Sequence, residues 1–158
     1  MSQGAVAIAE RLTALGLHLP PPVAPRFAYS AVVVHGGAAY VSGQLPWRDG
    51  VLVAPGRVGD DVSVASASEA ARCCVLNGLA VLDQALGSLA RIDRFLKVTG
   101  FVASAPSFHE QPQVIDAASL LLIELFGDAG RHARSAVGVA ALPRDASVEI
   151  EFIVAVRQ

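Results

Sequence analysis

Two charged residues stand where they can do chemistry. Arg134 lies in His132-Ala133-Arg134-Ser135, where a loop enters an apolar strand. Its planar guanidinium fork can hold a carboxylate through two parallel hydrogen bonds. Glu149 lies in Ser147-Val148-Glu149-Ile150-Glu151-Phe152, among strongly apolar neighbours. Partial burial raises a carboxyl pKa toward the range in which the group moves protons to and from water. Both residue types also suit plainer positions: an arginine reaching solvent from a strand end, and a carboxylate on the outer face of a sheet. Spacing alone does not choose between these readings.

The ordinary catalytic motifs are absent. Ser42, in Val41-Ser42-Gly43-Gln44, lacks the glycine spacing of a nucleophile elbow, and no phosphate-cradling glycine loop occurs. His18, His35, His109 and His132 fall in linker or loop positions without metal-ligand spacing, so surface histidine is the expectation for each. Cys73 and Cys74 are adjacent within a helical pattern, which suits buried reduced thiols better than a disulfide or a zinc site.

The elements that must position these residues follow from periodicity and turn chemistry. Ser2 can cap a first helix presenting Ile8, Leu12 and Leu15 on one face and stopping at Gly16. Leu19-Pro20-Pro21-Pro22 then forces an extended linker, so residues 1–26 read as an attachment to a domain spanning 27–158. His35-Gly36-Gly37 and Asp49-Gly50 each mark a hairpin turn. A helix capped at Ser63 or Ser66 runs to about Leu86, with Gly87 as its end, and 95–102 reads as a strand. Pro112 suits the first turn of a second long helix, which Gly127 stops. Two closing strands, 135–140 and 147–156, are joined as a hairpin through Leu142-Pro143-Arg144-Asp145. This order predicts an α+β domain: a mixed sheet with both helices packed on one face. The other face is left open, which points to a partner subunit.

Composition agrees. Apolar residues make up 53% and charged residues 16% of the 158, against about 25% charged in typical domains. The excess apolar surface requires a doubly covered sheet or a subunit interface. No stretch approaches the roughly 20 apolar residues of a membrane span. Net charge is −2 with scattered basic residues, which argues against nucleic-acid binding. With no signal-peptide layout at the N-terminus, a cytoplasmic location is expected.

Three stretches together resemble the RidA/YjgF family, also called endoribonuclease L-PSP, in a longer branch with an N-terminal extension. They are Tyr40-Val41-Ser42-Gly43-Gln44-Leu45-Pro46, then Ala133-Arg134-Ser135-Ala136-Val137, then Leu142-Pro143 leading to Val148-Glu149-Ile150-Glu151. The resemblance covers about residues 27 to 157. It implies a chorismate-mutase-like fold and a homotrimer whose sheets form a central barrel, with clefts between adjacent subunits. It further implies hydrolysis of reactive enamines or imines, such as 2-aminoacrylate, to a keto acid and ammonia, without cofactor or metal. Carried over by position, Arg134 grips the substrate carboxylate and Glu149 activates water. Tyr29 supplies an aromatic hydroxyl, and Ser42 and Gly43 line the cleft. Ala136 stands where the family often has cysteine, and contributes its backbone N–H. The family's cleft asparagine maps to Ser119 or to Pro112, depending on the anchor used for counting. These departures keep a noncatalytic binder of small carboxylates as an alternative, and the family's older label keeps ribonuclease activity as a third.

Overall fold

The computed structural model describes residues 3–157. Helix α1 (Gln3–Ala14) ends before Gly16, whose φ of +67° reverses the chain. Ile8 and Leu12 are buried, whereas Leu15, expected on the same face, stays 40% exposed. The capping role read for Ser2 lies outside the described residues. Arg11 Nη1 donates to the Leu125 carbonyl at 2.7 Å, satisfying an acceptor that a helix C-terminus leaves open.

Strands β1 (Val32–His35) and β2 (Ala38–Gln44) form the first hairpin, with Gly36 and Gly37 at φ +59° and +78° as the tight turn requires. His35 therefore closes a strand rather than lying in a loop. The Asp49-Gly50 hairpin also forms, as β3 (Trp47–Arg48) and β4 (Val51–Leu52), but as a separate ribbon outside the main sheet. Helix α2 (Val64–Leu86) uses the earlier of its two capping registers: Ser63 accepts the Ser66 N–H, and Gly87 ends the helix at φ +75°. Strand β5 (Ile92–Ala103), helix α3 (Gln111–Phe126), β6 (Ala133–Val139) and β7 (Val148–Val156) complete the chain.

The sheet order is β1-β2-β7-β5-β6. This corrects the closing hairpin. β6 and β7 do not pair: β7 sits antiparallel between β2 and β5, and β6 lies at the edge, parallel to β5. The reason is burial. Val148, Ile150, Phe152 and Val154 are each at most 1% exposed, a degree of cover that a central strand provides and an edge strand does not. Both long helices cover one face of the sheet: Phe152 packs against Gly78 of α2, and Gly100 of β5 against Ile115 of α3. The other face carries Val33, Tyr40 and Val137, which are 52%, 48% and 42% exposed. No helix among the described residues is long and apolar enough to cross a membrane.

Candidate functional site

Side chains alternate across a sheet, and register partners on neighbouring strands share a face. Phe152 and Ile150 point to the helices, so Glu149 points to the open face, in register with Phe101 of β5. Gly100 and its β6 partner Ala136 face the helices. Arg134, two residues from Ala136, does the same. The two principal residues of the sequence reading thus lie on opposite faces of one sheet. A single chain does not bring them together.

On the open face, β2 contains a bulge. Val41 pairs with Phe152 and Gln44 with Ile150, so three steps along β2 answer two along β7. Bulges redirect side chains and recur beside active sites. Here the bulge brings Gly43 against Glu149: a Cβ built on Gly43 would stand 1.8 Å from Glu149 Oε1. Only the missing side chain gives the carboxyl room. Burial pushes the Glu149 pKa above its usual 4.5, and repulsion from Glu151 adds to the rise. Ser42 donates its hydroxyl to the Ser30 carbonyl at 2.7 Å, and its N–H to the Ala31 carbonyl at 2.9 Å. These bonds fix the segment carrying Tyr29, which remains 54% exposed. Tyr29, Ser42, Gly43 and Glu149 therefore belong to one locality.

Arg134 and Ala136 belong to another, at the β6 edge beside α3. Arg134 Nη1 donates to Asp116 Oδ1 and to Ser119 Oγ, both at 3.1 Å. Nε and Nη2, the other edge of the fork, have no partner among the described residues and can grip a carboxylate bidentately. Ser119 Oγ also meets His132 Nε2 at 3.0 Å, and His132 Nδ1 meets the Gly130 carbonyl at 2.6 Å. A carbonyl only accepts, so Nδ1 carries a proton. Burial lowers the His132 pKa, the Gly130 carbonyl opposes that shift and nearby Arg134 adds to it, so the neutral ring is favoured. Nε2 then accepts from the Ser119 hydroxyl, whose oxygen is left to accept from Arg134.

This corrects the surface reading of His132: the ring is half-buried and bonded through both nitrogens. Of the two positions to which the family's asparagine was mapped, Ser119 meets Arg134, while Pro112 sits in the first turn of α3. The available signal for His132 was the two-residue spacing of Arg134, in β6, and His132, just before that strand, which in extended chain turns both side chains the same way. Cys73 and Cys74 are free and buried. Among the described residues, no group of three or more His, Cys, Asp or Glu side chains is placed to hold a metal ion.

Known proteins share this architecture. Residues 9–155 match the family described as "YjgF/chorismate_mutase-like, putative endoribonuclease". Protein TCP17 of Trypanosoma cruzi is 43% identical over 148 residues, 93% of this chain and 92% of that protein. Atu1372 from Agrobacterium tumefaciens, a protein of unknown function with a crystal structure, is 47% identical, with TM-score 0.91 over 97% of this chain and 94% of that one. The YjgF gene product of E. coli is 27% identical, with TM-score 0.61 over 87% and 94%. With its sequence matched over nearly its whole length and its mixed sheet backed by two helices, the chain belongs to the YjgF/RidA family.

Proposed function

We propose that the protein hydrolyses a reactive enamine or imine of the 2-aminoacrylate type to a keto acid and ammonia, in clefts between the subunits of a homotrimer. The observation that carries this reading is Glu149: a half-buried carboxyl of raised pKa, set over a side-chain-free position at a bulge. Such a group accepts a proton from water as the water attacks the C=N carbon, and returns it to the departing nitrogen. Arg134 holds the substrate carboxylate, which fixes the reacting carbon relative to that water. Ser42, Gly43 and the Ala136 backbone line the cleft, and Tyr29 adds a hydroxyl at its rim.

Two observations favour assembly. Arg134 and Glu149 lie on opposite sheet faces, so a cleft using both draws them from different subunits. The open face carries exposed Val33, Tyr40 and Val137, an apolar surface of the kind that marks an interface. Net charge of −2 with scattered cations disfavours a ribonuclease, which needs a basic track for the phosphate backbone.

The test is ammonia release from 2-aminoacrylate generated in situ by a dehydratase, with Arg134→Ala and Glu149→Gln proteins alongside. Acceleration by the wild type alone supports the reading. Tight keto-acid binding without acceleration selects the noncatalytic carboxylate binder, which the alanine at position 136 favours.

A further inference from the structure

A second cavity lies away from the sheet. After Gly16 the chain crosses α2 and the β3–β4 ribbon as a strap without regular structure, and a groove of about 900 Å³ opens beneath it. Small-molecule sites commonly measure about 300–1,000 Å³. The strap supplies Leu17, three successive prolines and Val23, while Trp47 and Leu76 supply apolar surface from below. These walls are held in place. Asn77 Nδ2 donates to the Trp47 carbonyl at 2.8 Å and to the Cys73 carbonyl at 3.0 Å, and the Cys73 thiol reaches the same Trp47 carbonyl at 3.2 Å. Prolines restrict the strap to a narrow range of backbone angles. A cavity built this way loses little entropy on accepting a ligand.

The charges on its rim choose the ligand. Arg48 and Glu69 pair at 2.6 Å and cancel. Arg26 and Arg144 also line the groove, and neither makes an ion pair among the described residues. Among the described lining residues, one unpaired acid, exposed Asp49, stands against these two cations. Arg144 is held at φ +62°, ψ 21°, a conformation that non-glycine residues rarely adopt. A hydrogen bond from the Gly56 N–H to the next carbonyl, that of Asp145, anchors this turn at 2.7 Å.

We propose that the groove beneath the strap is a second ligand site, taking an organic acid with an apolar body and a single carboxylate read by Arg26 and Arg144. The site is independent of the deaminase reading: it shares no residue with the sheet edge or with the bulge.

Trp47 is the only tryptophan of the chain, so its fluorescence reports on this wall. The probe is octanoate, titrated into the full-length protein, with octanol as the uncharged counterpart. The expected result is a saturable change in emission. The Kd should rise at least tenfold in Arg26→Gln/Arg144→Gln, stay unchanged in Arg134→Ala, and be at least tenfold weaker for octanol. Absence of a saturable change overturns the proposal, as does equal affinity in the double variant or for octanol. Loss of the response in Arg134→Ala would move octanoate to the sheet edge and overturn it too. Because octanol is tested on the wild type, misfolding of the double variant would not protect the idea.

Discussion

A single methyl group at Gly43 separates the two jobs of the β2 bulge, holding the fold and seating the reactive carboxyl. In Gly43→Ala the new Cβ would lie 1.8 Å from Glu149 Oε1, 2.7 Å from Cδ and 3.0 Å from Cγ. Ordinary contact begins at 3.4 Å, so the carboxyl oxygen must retreat by about 1.6 Å. The obstructing atoms are the end of a flexible side chain on the open face, and they can swing aside. An off-rotamer side chain costs about 0.5–1.5 kcal/mol, and replacing glycine by alanine returns about 0.4–1 kcal/mol through the unfolded state. Net stability should therefore change by no more than about 1 kcal/mol, which is about 2–4 °C in Tm for a chain of this size. Activity should respond differently, because misplacing a reacting group by about 1 Å can cost about a hundredfold in rate. Gly78→Ala is the contrasting perturbation. Its Cβ would stand 2.2 Å from Phe152 Cε2, in a ring that is 1% exposed and also packed edge-on against Phe95. That ring has nowhere to go, and overpacking of this kind costs about 1–3 kcal/mol. Thermal unfolding and ammonia release, measured on both variants, should show Gly43→Ala stable and slow, and Gly78→Ala less stable with its folded fraction active. Full turnover by Gly43→Ala would refute the placement of Glu149 as the group that activates water.

Arg134→Ala should lose pyruvate binding in calorimetry while light scattering reports an unchanged assembly mass; normal binding would remove the clamp. Ser119→Ala should weaken pyruvate about tenfold, since a hydrogen bond to a charged group is worth about 1.5–3 kcal/mol, and His132→Ala, which reaches Arg134 only through Ser119, should weaken it by no more than that. The double variant should be no weaker than the worse single, and additive losses would show that the two residues do not act as one relay. Glu149→Gln should raise the urea midpoint near neutral pH. A carboxyl whose folded pKa lies above its usual 4.5 makes the folded state bind more protons than the unfolded one, so stability falls as pH rises from that value through the folded pKa. The advantage of the glutamine should vanish below about pH 4, where both forms of the carboxyl are protonated, and an advantage of equal size at both pH values would rule out ionisation as its cause.

Much of the fold is written in local chemistry. His35-Gly36-Gly37 and Asp49-Gly50 mark their turns because tight hairpins need positive φ, and Ser63 and Gly87 mark the ends of α2 because helix termini leave N–H and C=O groups unpaired. Strand pairing is not written there. The Leu142-Pro143-Arg144-Asp145 segment looks like a hairpin turn, and consecutive strands do neighbour each other in about two-thirds of cases. Yet β7 leaves its neighbour in sequence and fills the centre of the sheet. Alternation in Val148, Ile150, Phe152 and Val154 states which residues face inward; it does not state what lies on either side of the strand.

The site divides along the same line. Residue type marked Arg134 and Glu149 as candidates, because a bidentate cation and a carboxyl among apolar neighbours are chemically suggestive in any fold, but their roles came from the family resemblance. Their surroundings came from docking. Asp116 and Ser119 reach Arg134 from a helix 15 to 18 positions earlier in the chain, and Gly43 meets Glu149 only because a bulge in β2 lies beside β7. The opposite faces of Arg134 and Glu149 were also implicit in the alternation of each strand, but only once β5 had linked their registers. That geometry constrains any mechanism using both groups. With a five-stranded sheet between them, no side-chain rearrangement within one chain can unite them, so a catalytic role for the pair requires a second copy of the protein to supply one of the two.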